Sequence, residues 1–102
     1  MLRTKTIEID GQKFLIGNVS RRAARAWDDA IEAHGGTGSL ETAKAVDAAG
    51  DRLIASSLQR ATPGFDVAQI EDLDWDDTIR LIQEITAWSR PQKEQQNPPA
   101  SP

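Results

Sequence analysis

Residues 40–61 read LETAKAVDAAGDRLIASSLQRA, the longest amphipathic stretch in the chain. Every other apolar segment is short enough to need it as a packing partner. Advancing about 100° per residue from Val46 gathers Ala43, Ala49, Gly50, Leu53, Ile54, Ser57, Leu58 and Ala61 on one side of a helix. Glu41, Lys44, Asp47, Asp51, Arg52 and Gln59 fall mostly on the other. Leu53 lies near the middle of the apolar side and is the expected central core contact. Gly50 costs about 1 kcal/mol relative to Ala inside a helix, so either another element approaches closely there or the helix bends, and close approach is the favoured expectation.

Upstream, Thr4-Lys5-Thr6-Ile7-Glu8-Ile9 alternates β-branched and polar residues, and Asp10-Gly11 separates it from residues 12–16. Asp-Gly supports the two positive φ values of a type I′ turn, so a two-residue hairpin pairs Ile9 with Gln12 and Ile7 with Phe14. Ile7, Ile9, Phe14 and Ile16 then share one face and Leu15 takes the other. An isolated hairpin is marginal in water, so that face is expected to lie on helices.

Ser20 is a good N-cap for a first helix over residues 21–34, which Gly35-Gly36 is expected to stop, with residues 35–39 as a loop. Its apolar arc holds Ala23, Ala24, Trp27, Ala30, Ile31 and His34. Ser39 can cap the central helix through a Ser-x-x-Thr start. Downstream, Thr62-Pro63-Gly64 breaks that helix, and Asp66 with Gln69 resembles a capping box over a short turn ending at Ile70. Asp74 caps a last helix over residues 75–89, which Pro91 stops. The expected fold is α+β, mostly α: an N-terminal β-hairpin packed on a small bundle of three main helices, residues 1–89 forming one domain. Residues 90–102 hold four Pro, three Gln, an Asn and no large apolar residue, a composition that predicts a disordered tail.

A chain of 102 residues and 11.2 kDa supports one modest core, with about two-thirds of its extended surface buried. Trp supplies three of the five aromatic residues and must carry much of that core. The absence of Cys excludes disulfides, thiolate chemistry and Cys-based zinc sites. No apolar run marks an export signal or approaches the roughly 18 residues of a membrane span, so a cytosolic protein without membrane partners is expected. Twelve basic against sixteen acidic side chains give a net charge of −4, which opposes non-specific nucleic-acid binding.

Catalytic signals are weak. His34 is the only His, and a cation near a helix C-terminus is favourable without any reaction. Asp72-x-Asp74-x-Asp76 matches the first positions of a calcium loop, but Asp77 and Gln83 stand where Gly and Glu are needed, so these acids read as helix N-terminal charge. Residues 35–39 precede a helix as phosphate loops do, yet carry no basic residue. No catalytic residue, cofactor or metal is expected.

Two surface features stand out. Arg21, Arg22 and Arg25 open the first helix, where the dipole prefers acids, so they call for compensation by residues 71–77 or by an anionic partner. In the last helix, Trp75, Ile79, Leu81, Ile82, Ile85 and Trp88 extend around some 180°, wider than the about 100° one packing contact needs. The surplus edge taken from Trp75 is Leu81, Ile85 and Trp88. It reads either as a second core contact, with the helix sandwiched between hairpin and central helix, or as a partner-binding edge for a client or a second copy of the chain.

The order of parts, Thr6-Ile7-Glu8-Ile9-Asp10-Gly11-Gln12-Lys13-Phe14, Val19-Ser20-Arg21, residues 53–63 ending Leu-x-x-Ala-x-Pro, and residues 67–88, resembles small phage tail assembly chaperones over residues 4 to 89. The glycine loop at 35–38 and the Asp-rich turn depart from that pattern. The resemblance implies a non-enzymatic protein of the bacterial host cytoplasm that keeps the tape measure protein soluble during tail assembly. It also implies a longer, frameshifted form that recruits tail tube protein, with the Pro/Gln segment as the junction. The competing expectation is a small structural virion component or a helical adaptor that docks through Arg21, Arg22 and Arg25.

Overall fold

The computed structural model describes residues 1–90, and the expectation for a disordered tail therefore lies, apart from Arg90, outside the described residues. In chain order the protein forms β1 (Thr4–Ile9), β2 (Gln12–Gly17), α1 (Arg21–Thr37), α2 (Leu40–Ala61), a 3-10 turn (Val67–Ile70) and α3 (Trp75–Ser89). The α+β, mostly α class expected from the sequence is the one observed.

The hairpin closes through Asp10 and Gly11 at φ 53° and 79°, the left-handed pair of a type I′ turn. Its strands pair antiparallel with Ile7 opposite Phe14 and Ile9 opposite Gln12. Period-2 alternation then puts Ile7, Ile9, Phe14 and Ile16 into the core and leaves Leu15 at the surface. That face packs on α2 and α3. In α2, Val46, Ala49, Gly50, Leu53, Ile54, Ser57 and Leu58 are buried, the side that the helical wheel selects, with Leu53 only 1% exposed.

Gly50 marks the close approach expected of it. A Cβ at this position would stand 3.1 Å from the Trp27 ring and 3.1 Å from Ile82 Cδ1, so α1 and α3 both reach α2 here. No residue of α1 is fully buried; it is an outer helix that leans Ala23, Ala24 and Trp27 on the core, while Ile31 faces solvent.

One helix boundary differs from expectation. Ser20 caps α1 through a bond from the Ala23 N–H, but α1 continues through Gly35-Gly36 to Thr37. Its terminus is set by Gly38, at φ 63°, whose N–H donates to the His34 carbonyl at 2.7 Å. Only Gly38 must take a left-handed φ for the chain to turn into α2; the other two glycines remain helical because helix continues to be available to them. Ser39 accepts from the Thr42 N–H at 3.1 Å, closing the expected cap of α2.

Two other caps form with altered bonds. Asp66 opens the 3-10 turn by accepting from the Ala68 N–H at 3.0 Å, while Gln69 N–H bonds the Asp66 carbonyl. Asp74 occupies the N-cap of α3 without a side-chain bond; its carbonyl accepts from the Thr78 N–H and hydroxyl. Arg90, grouped with the tail by composition, is the C-cap of α3 in the extended conformation favoured before proline.

Candidate partner-binding surface

Two of the three residues on the α3 edge nominated for binding, Leu81 and Ile85, are core. Leu81 and Ile85 are 0% exposed, packed among Ile7, Ile9, Phe14, Leu53 and Leu58. With Ile82 they define a buried stripe about 100° wide, the width one packing contact requires. The angular surplus is real, but it lies on the opposite flank, at Trp75 and Ile79. A helical wheel measures the width of an apolar arc and leaves open which part of it faces the core.

Trp88 is half-buried and fully engaged. Its indole N–H donates to the Arg3 carbonyl at 3.0 Å, and its own carbonyl accepts from Arg3 Nη2 at 2.7 Å. The Arg3 guanidinium lies 4.8 Å from the ring centroid and Lys5 Nζ 5.6 Å from it. Lys5 also pairs with Glu84 at 3.8 Å on the surface. Trp88 thus ties the chain's first residues to the end of α3, and this sector offers no vacant apolar patch.

Arg21, Arg22 and Arg25 are exposed, as a charged patch must be, and they group with Ala26 and Asp29 around a shallow surface depression. None forms an ion pair within the described residues, so the compensation by residues 71–77 that the sequence suggested is not made. His34 bonds Thr42 Oγ1 at 2.9 Å through Nδ1 and joins the end of α1 to the start of α2, a structural task that uses the side chain. Among the described residues no group of acidic or His side chains is arranged to hold a metal ion, including Asp72, Asp74 and Asp76.

The feature that sequence reasoning missed is a groove of about 580 Å3 bounded by α2 on one side and by the 3-10 turn and the start of α3 on the other. Trp27, Ile54 and Ile82 line it together with Val67, Ile70 and Leu73. Trp75, 58% exposed, stands at its edge. Ile70 and Leu73 of the connecting segment pack against the core, and Trp75 does not join it. A large exposed Trp beside an apolar groove has the composition of a binding anchor. The cue in the sequence is the Trp at the first position of α3, a large apolar residue at one flank of the helix's wide apolar arc.

Among the described residues no helix is long and apolar enough to cross a membrane. No known protein family matches the chain, and no curated protein or solved structure matches it either.

Proposed function

We propose that this protein is a non-enzymatic phage or prophage tail assembly chaperone. It acts in the bacterial host cytoplasm and holds apolar helical segments of the tape measure protein while the tail assembles. The observation that carries this reading is the open groove with Trp75 at its edge, a surface suited to the apolar ridge of another helix. The resemblance of residues 4–89 to such chaperones supports it, and the net charge of −4 favours solubility of the loaded complex. A longer frameshifted form would add the contact with tail tube protein. Co-expression with a tape measure fragment tests the proposal. The fragment should remain soluble and co-purify, and Trp75→Ala should abolish this while leaving the fold intact. A fragment that precipitates equally with and without the protein overturns it.

A second reading, a structural virion component or helical adaptor, draws on Arg21, Arg22 and Arg25, which are exposed and unpaired within the described residues. Replacing all three by Ser should leave fragment capture unchanged under the first reading and abolish partner binding under the second.

A further inference from the structure

We propose that the groove beside Trp75 selects a cationic partner: an amphipathic helix whose apolar stripe is flanked by Lys or Arg. This rests on the reading of the groove as the partner-binding surface and adds the chemistry of what it holds. The groove's lining is apolar at its base and acidic at its lips. Asp47 and Asp51 lie one turn apart on the α2 side, and Glu71 stands on the connecting segment opposite. All three are exposed, and Arg52 is the sole cation in the lining.

None of these carboxylates has an ion-pair partner within the described residues. Like charges at i and i+4 oppose each other on a helix, so Asp47 and Asp51 do nothing for α2 on its own. The segment entering α3 extends the same sign, with Asp72, Asp74 and Asp76 exposed beside Glu71. An apolar floor between unpaired acidic lips is complementary to an apolar ridge between bases.

The same field turns away other occupants. Nucleic acid and anionic lipid share its sign. A second copy of the chain brings another net charge of −4. Residues 91–102, PQKEQQNPPASP, carry one Lys and no large apolar side chain to seat in the groove.

The test uses the full chain and two synthetic helical peptides of about 18 residues with identical Leu/Ile stripes, one flanked by Lys and the other by Glu. Affinity is measured by anisotropy of the labelled peptides at low and high salt. The Lys peptide should bind about tenfold or more tightly than the Glu peptide at roughly 50 mM salt, and the preference should shrink to about threefold at roughly 500 mM. Asp47→Asn with Asp51→Asn should reduce the preference similarly at low salt, with circular dichroism verifying the fold. Equal binding of both peptides, lost on Trp75→Ala, overturns the charge selection and leaves the groove as a binding surface. A preference that survives Asp47→Asn, Asp51→Asn and Glu71→Gln together overturns it as well. Binding of neither peptide overturns both readings, and a dimer in sedimentation that Trp75→Ala dissociates assigns the groove to a second copy.

Discussion

Ser57 and Gly17 share two hydrogen bonds across the core: the Ser57 hydroxyl donates to the Gly17 carbonyl at 2.7 Å and accepts from the Gly17 N–H at 3.0 Å. Ser57 is 0% exposed, and this exchange satisfies a polar side chain on an otherwise apolar helix face. It also latches the end of β2 onto α2. The approach is close, since a Cβ at position 17 would stand 3.2 Å from the Ser57 carbonyl oxygen and 3.4 Å from the Ala61 nitrogen.

Ser57→Ala removes both bonds and strands two buried backbone groups. Stability should fall by about 1 to 3 kcal/mol, read as a lower urea midpoint at unchanged m-value. A midpoint equal to wild type would show that the latch contributes nothing.

Leu53 sits 1% exposed where α2 meets the hairpin and α3. Leu53→Ala should destabilise by about 2 to 5 kcal/mol, a large part of the stability of a domain this size. A loss below about 1 kcal/mol in chemical unfolding would contradict its central place in the core.

Gly35 and Gly36 are helical, and a Cβ at either position meets no heavy atom within 4 Å. Ala at each should therefore stabilise by about 0.5 to 1 kcal/mol, seen as a higher melting midpoint. Destabilisation would mean that the pair works as a break in the helix, as its composition first suggests.

The two Trp residues of α3 should separate cleanly. Trp88→Ala loses an indole bond and the stacked Arg3, and should lower stability by about 2 to 3 kcal/mol, below the range for a fully buried Trp because the ring is half-exposed. Trp75→Ala should change stability by less than about 0.5 kcal/mol and remove peptide or fragment binding. Unfolding curves and binding isotherms on both variants check this, and a reversed pattern would return the binding edge to Trp88.

Local signals in the sequence determined the elements. Asp10-Gly11 and strict alternation set the hairpin and its register, Ser20 and Ser39 set two helix starts, and the wheel of residues 40–61 identified the core face, including the close approach at Gly50. These succeed because turn dihedrals, caps and periodicity act over a few residues. Tertiary structure decided the rest. Gly38 ends α1 in place of Gly35-Gly36, because three nearby glycines can each accept a left-handed φ and only the path into α2 selects one. Leu81 and Ile85 are core and Trp75 is exposed, because an apolar arc wider than one contact can be rotated and only packing against the hairpin and α2 fixes the angle. The groove beside Trp75 is assembled from residues 27 to 82, and its shape exists only after helices distant in sequence have come together.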